Sequence, residues 1–387
     1  MVVHPGAQHS RELARALQDA RLLQRFVTSI DERYAAFLPR PMREGLRARS
    51  TGLPRSRVAT LARYELAARL LERSLPSSGR GRAREWALDR FGRAAGRRVT
   101  RERPRVVTAF EGNAEHVFGA ARACGATTVL EAPSLHAAWQ PAEEPADGRR
   151  RVEAAKAREL MLADHVVVLS TFARDSYVAA GVPADHISIV PPGVWTDRVA
   201  HAEPPARDAV RLLFVGNIKR AKGVDLLIEA FARSGSRATL VLAGPIVEPG
   251  LLARLPEGVE VAGKLDPAGL RSQYARADLL VLPSRADGFG MVVGEAMRSG
   301  LAVIVSSATG AKDIVVPGRN GWIVASGDVS SLAAAIDEAI SDAARLRQMG
   351  AAAREDAAGL TWERYAQRTA KLYTALVAGT RPAQVLE

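Results

Sequence analysis

Short runs of apolar, β-branched residues alternate with stretches of helical period along most of this chain. Residues 105–108, 127–131, 165–170, 187–190, 211–215, 239–243, 259–262, 279–282, 302–306 and 321–324 read as strands. Helical patterns lie between most of them, including 224–233, 267–275, 291–298 and 329–350, and two Arg-rich amphipathic patterns cover 11–26 and 57–75. Strands and helices alternating at this pitch build parallel sheets covered by helices on both faces. The alternation occurs twice, broken by the Pro-rich stretch PPGVWTDRVAHAEPPARDA at 191–209. The pattern therefore predicts an α/β protein of two doubly wound, Rossmann-like domains facing across a cleft. The first is expected over 1–195, a linker over 196–209, and the second over 210–360. A last amphipathic helix in 361–387 is expected to pack back toward the first domain. Only Met1, Val2 and Val3 precede the turn at His4, so the opening strand is expected to be short. Folds of this kind bind ligands beyond the carboxyl ends of their strands, which places a ligand in the cleft before any motif is read.

Composition narrows the class. A chain of 387 residues suits two domains better than one core, and 47% hydrophobic with 25% charged residues excludes a disordered or fibrous protein. The single cysteine, Cys124, leaves no disulfide framework or cysteine-ligated zinc site and fits a reducing compartment. No apolar run reaches the length of a membrane span, and MVVHPGAQHS lacks a signal-peptide core, so a cytoplasmic location is expected. The net charge of +12 is unevenly spread: residues 1–105 hold 24 Arg against 10 Asp or Glu, and the remainder holds 30 basic against 32 acidic residues. Three readings of that surplus stay open. It marks solvated helix faces, an approach to an anionic membrane or acidic acceptor, or a nucleic-acid surface. The last is the least supported, because no aromatic interleaving or binding module accompanies the charge.

Two motifs carry chemistry. In FVGNIKRAKGVDLLIEAF (214–231) a strand runs through a glycine turn into a helix. Gly216 allows a tight turn and Lys222 can present an ammonium to phosphate oxygens, with Asn217 and Lys219 beside them. The Walker pattern is absent, and Lys222 taken alone also fits a surface lysine. The sharper motif is LLVLPSRADGFGMVVGEAMRSGLAVIVS (279–306). Its turn carries Asp287, Gly288, Phe289 and Gly290, and a helix opens near Met291. The amides at Gly290, Met291, Val292 and Val293 form a ready diphosphate site. Glu295, one turn further in, can accept two hydrogen bonds from a ribose diol, and Asp287 can reach sugar hydroxyls.

On these residues the sequence resembles the family-4 (group 1) retaining glycosyltransferases of GT-B architecture. LADHVVVLSTFARDSYVAAGVPADHISIVPPGV (162–194), FVGNIKRAKG, DGFGMVVGEAM, GAKDIVVPGRNGWIV (310–324) and HPGAQHSRELARAL are each similar to a segment of that family. The resemblance implies that Lys222 binds the donor diphosphate, Glu295 the donor ribose, and Asp287 the donor sugar at a position usually held by Glu. Asn217 stands where many members place Arg, so that phosphate contact is expected either to be neutral or to come from Lys219 or Arg220. Trp195 stands where an Asp usually follows Pro-Gly-Val. Gly6 and His9 match the amino-terminal loop near donor and acceptor, and His136 is the candidate histidine beside the reacting sugar. His4, His116, His165, His186 and His201 have weaker context. Glu111 and Asn113 follow a strand at the cleft edge and are expected on the acceptor side. The implied function is transfer of a hexose from a UDP- or GDP-linked donor to a glycan or lipid-linked acceptor, with retention of anomeric configuration. The resemblance implies a role in bacterial surface polysaccharide or glycoconjugate synthesis, with the enzyme cytoplasmic or peripheral on the inner face of the cell membrane. No two Asp residues flank a single position, so the aspartate pair of the metal-dependent glycosyltransferase fold is missing and no metal or other cofactor is expected. Epimerisation or hydrolysis of a nucleotide sugar, or a binding subunit without activity, remain the alternatives.

Overall fold

The computed structural model describes residues 1–6, 9–31, 51–74, 77–140, 146–200, 209–234 and 238–380. Among the described residues the first sheet has seven strands: β1 (Val2–Val3), β2 (Phe26–Thr28), β3 (Val58–Thr60), β4 (Val106–Phe110), β5 (Thr127–Ala132), β6 (His165–Val168) and β7 (Ile187–Ile189). Its helices are α1 (Ser10–Asp19), α2 (Ala62–Ser74), α3 (Ser77–Glu102), α4 (Glu115–Ala123), α5 (Ala146–Met161) and α6 (Thr171–Ala179). The second sheet has, among the described residues, six strands: β8 (Arg211–Val215), β9 (Thr239–Ala243), β10 (Val259–Gly263), β11 (Leu279–Leu282), β12 (Ala302–Ser306) and β13 (Gly321–Val324). It carries α7 (Val224–Arg233), α8 (Pro267–Arg276), α9 (Met291–Arg298), α10 (Val329–Ser341) and α11 (Ala343–Asp356), and α12 (Trp362–Ala378) follows.

The strand orders are β3-β2-β1-β4-β5-β6-β7 and β10-β9-β8-β11-β12-β13, and the pairings are parallel. Each order reverses direction once, between β1 and β4 in the first sheet and between β8 and β11 in the second. The loops leaving those four strands diverge there and open a crevice. Strands covered on both faces read as continuous apolar runs, and β11 and β12 are buried at every position.

Several elements depart from the sequence reading. The helix expected over 11–26 stops at Asp19, where Arg21 takes a left-handed φ of 59°, and the chain then enters β2. The pattern at 57–75 begins with β3, and its helix starts only at Ala62. The expected 329–350 helix is two helices, because Asp342 turns its carboxylate onto the amides of Ala344 and Arg345 and starts α11. Of the expected linker, residues 201–208, with His201, lie outside the described residues.

Leu13 and Leu17 of α1 pack with Tyr365, Leu372 and Leu376 of α12, so the helix that follows the second sheet is part of the first domain's core. Among the described residues the chain therefore crosses between domains twice, near Val194 and near Leu360. The two crossings touch: the Val194 amide donates to the Leu360 carbonyl at 3.0 Å. Gly193 lies so close that a Cβ there would sit 2.4 Å from the Trp362 nitrogen. Among the described residues no helix is long and apolar enough to cross a membrane.

Candidate active site

The loops after β8 and β11 meet those after β1 and β5 across the crevice. A cavity of about 370 Å³ is walled by Gly216, Lys222, Asp287, Phe289, Gly290, Met291 and Val292 from the second domain. His9, Pro133, Leu169 and Trp195 close it from the other side. A second cavity of about 340 Å³ shares Pro133, Lys222 and Asp287 with the first. It runs on between Ser134, Gln140, Glu153 and Lys156 of the first domain and Lys219 of the second.

At the junction of the two cavities, Lys222 Nζ lies 2.5 Å from Asp287 Oδ2. The lysine loop is brought there by Gly223, whose φ is 71° and whose missing Cβ would collide with the Pro283 carbonyl at 2.0 Å. The other Asp287 oxygen accepts from the Phe289 amide at 3.3 Å. Gly290 precedes α9 in a left-handed conformation and no side chain caps the helix. The first-turn amides of Met291 and Val292 thus stand at the cavity wall with the positive end of the helix dipole behind them.

His9 is held from behind. Its Nε2 lies 3.3 Å from Glu131 Oε2, and its ring packs edge-on against Phe110 and Tyr365. Glu131 is buried on β5 and also accepts from the Tyr373 hydroxyl of α12 at 3.2 Å. Gly6 donates its amide to His4 Nδ1 at 2.9 Å, under a ring that leaves no room for a Cβ.

Glu295 is one helical turn past the α9 start, but its carboxylate faces away from both cavities. It is fully buried, bonded to Arg198 Nη1 at 2.9 Å and to the Tyr274 hydroxyl at 3.0 Å. Burial pushes its carboxyl above the usual range, and Arg198 and Tyr274 pull it back. Arg198 also lies 4.8 Å over the Trp195 ring, which packs on Trp362. Trp195, standing where an Asp usually follows Pro-Gly-Val, thus walls the cavity and braces the arginine that neutralises Glu295.

The remaining expected positions stand off these walls. Asn217 is exposed on the loop after β8. His136 packs edge-on against Tyr177, with burial lowering its pKa. Glu111 binds Lys156 at 3.1 Å, the Tyr177 hydroxyl at 3.2 Å and the Ser134 hydroxyl, beneath the second cavity. Asn113 Oδ1 is buried without a hydrogen-bond partner. The structure therefore brings together Lys222, Asp287, Gly288, Phe289, Gly290, Met291, Val292 and His9. It sets Gly6, Asn217, Glu111, Asn113, His136 and Glu295 around them. Sequence reading missed Arg198, Tyr274, Lys156 and Glu131, whose roles come from partners far along the chain.

Residues 198–356 match the family model described as glycosyl transferases group 1. The second domain belongs to that family. Among curated relatives, D-inositol 3-phosphate glycosyltransferase 2 of Catenulispora acidiphila is 31% identical over 220 residues, 50% of this chain and 52% of the relative. A glycogen synthase of Mycobacterium tuberculosis is 31% identical over 193 residues, 47% of each chain. The chain spans about half the length of the curated relatives it matches. Among solved structures, a sucrose-phosphate synthase from Thermosynechococcus elongatus aligns with a TM-score of 0.71 at 22% identity, covering 98% of this chain and 99% of that one. HepE of Anabaena, in complex with UDP and glucose, aligns at 0.67 and 18% identity, covering 97% and 98%. These likenesses extend beyond the group 1 domain and show the two-domain GT-B fold over nearly the whole chain.

Proposed function

We propose that this protein transfers a hexose from a UDP- or GDP-linked donor to a hydroxyl of a glycan or lipid-linked acceptor, with retention of anomeric configuration. One observation carries the reading: two cavities, one walled by a helix start and one by charged side chains of both domains, meet at the Lys222–Asp287 pair. The first takes the donor, with its diphosphate on Lys222 and the amides of Met291 and Val292. The second takes the acceptor, above Glu111. Asp287 meets the sugar between them. The ammonium and the helix start are fixed before reaction and aimed at the charge that develops on the departing diphosphate, so no metal is required. The acceptor hydroxyl attacks on the leaving-group face and a β-phosphate oxygen takes its proton. The ribose contact expected of Glu295 requires the nucleoside to approach the Arg198–Glu295 pair.

A thermal-shift panel of UDP- and GDP-hexoses tests donor binding, since a true donor stabilises the folded state by mass action. The stabilising donor should then release its nucleotide faster when an alcohol acceptor is added, in the presence of EDTA, and NMR should show the donor's anomeric configuration in the product. A donor panel without any stabilising member overturns the reading, and an inverted linkage overturns the mechanism.

The basic surplus of the first domain gives this enzyme a route to a membrane-borne acceptor at the inner face of the cell membrane. On the α2–α3 hairpin, Leu71 and Trp86 are exposed among exposed arginines that include Arg63, Arg82, Arg84 and Arg90. Aromatic and leucine side chains beside a cationic helix face suit the interface of an anionic bilayer. The protein is expected to float with phosphatidylglycerol-containing vesicles, to do so less at high salt, and to ignore pure phosphatidylcholine. Equal flotation with both returns the arginines to a solvated surface.

A further inference from the structure

Three consecutive residues at the start of α6 in the first domain each grip the second domain. Ser170 caps α6, its Oγ accepting from the Ala173 amide at 3.0 Å, and the same hydroxyl donates to the Gly288 carbonyl at 2.6 Å. Thr171 donates its amide to one oxygen of Asp313 at 2.7 Å and its hydroxyl to the other at 2.5 Å. The ring of Phe172 lies 4.3 Å beneath Lys312 Nζ. An α-helix leaves its first amides unsatisfied, and here a carboxylate from the opposite domain takes one of them.

The grip falls on the segment that carries Asp287. The Asp287 amide donates to the Ala308 carbonyl at 3.0 Å, and its carbonyl accepts from the Gly310 amide at 2.9 Å. Gly288 and Gly310 have no space for a side chain. A Cβ at 288 would lie 2.4 Å from the Pro133 carbonyl, and one at 310 would lie 2.2 Å from the Gly288 carbonyl and 2.3 Å from Ser170 Oγ. Four backbone segments, two from each domain, are therefore stacked at contact distance around the loop from Asp287 to Gly290.

We propose that Ser170 and Asp313 are positioning residues: together they latch the two domains shut and thereby set Asp287 against the bound sugar. The proposal rests on the glycosyl-transfer reading for its catalytic consequence and on the geometry above for the latch itself. Lys222 and the start of α9 both lie in the second domain, so nucleotide binding does not need the latch. Placing Asp287 against a sugar that also faces the first domain does.

The test compares the parent protein with Ser170→Ala, Asp313→Ala and Asp313→Asn. Both alanine variants are expected to bind UDP within about twofold of the parent by calorimetry. Release of UDP from UDP-glucose should fall about tenfold to a hundredfold, the scale of a misplaced reacting group. Small-angle scattering of UDP-bound Asp313→Ala should give a larger radius of gyration than the parent. Asp313→Asn keeps an acceptor for the Thr171 amide and should recover most of the turnover. A lost helix cap alone would lower the melting temperature without separating turnover from UDP affinity. Unchanged turnover, a loss of UDP affinity in step with turnover, or an unchanged radius of gyration overturns the latch. If the parent binds UDP but releases none from any nucleotide sugar, the transfer reading fails, and the radius of gyration still decides the latch.

Discussion

Lys222→Ala is expected to lower transfer by about 10²- to 10³-fold, the loss seen when one fixed donor facing transition-state charge is removed. The fold should survive. Lys222 and Asp287 are partly solvated, and exposed or half-exposed ion pairs contribute at most about 1 kcal/mol. Asp287 would keep the Phe289 amide and gain water at the cavity junction. Lys222→Arg should not restore activity, because a planar fork cannot replace a compact ammonium packed at 2.5 Å against Asp287. The readout is UDP release from the stabilising donor, alongside circular dichroism to confirm folding. Near-normal turnover in the alanine variant would remove Lys222 from the site.

Acid is expected to unfold the first domain before the second. His4 and His165 are both buried in that domain, and burial lowers each pKa from 6.5 to about 4. Neighbouring groups modify the effect without reversing it. Asp185 favours the charged ring of His165 and His186 opposes it, while His9 and Arg11 oppose charge on His4. In the unfolded chain both imidazoles take up protons as pH falls through 6.5, and in the folded chain they resist until about 4. Between those values the unfolded state holds more protons, so stability falls as pH falls, by about 1.4 kcal/mol per pH unit for each histidine and on the order of 3 kcal/mol each in total. Buried Glu159, also in the first domain, has a raised pKa and returns part of that loss on protonation. Calorimetry between pH 7 and pH 4 should show the first domain's transition moving down more steeply than the second's, and His165→Phe should reduce the slope. Parallel movement of both transitions would sink the assignment.

The second domain was the more legible one, for a physical reason. β8, β9, β11, β12 and β13 are apolar runs flanked by glycine, proline or charge, and their sequence boundaries are their structural boundaries. β2 and β3 are three-residue strands whose neighbours carry helical period, so no window sees them apart from the amphipathic patterns beside them. The phosphate-facing parts of the site were readable because a glycine turn, a lysine and a helix start lie within a few residues of one another. Glu295 was not readable in the same way. Its partners Arg198 and Tyr274 are 97 and 21 positions away, and only folding brings them onto one carboxylate. His9 is the reverse case: its loop position was visible, while the Glu131 behind it is 122 residues distant. Nothing in spacing distinguishes that buried glutamate from any other acid on a strand.

The paired crossings near Val194 and Leu360 have a mechanical consequence. A single tether lets two bodies bend, twist and slide about it, whereas two strands fastened side by side leave one easy motion, a swing about the line that runs through both. The faces that meet at Asp287 are then guided along one arc and return to the same register on every stroke. Cutting either crossing alone would leave the halves joined but free to twist, with both bodies intact and their alignment lost.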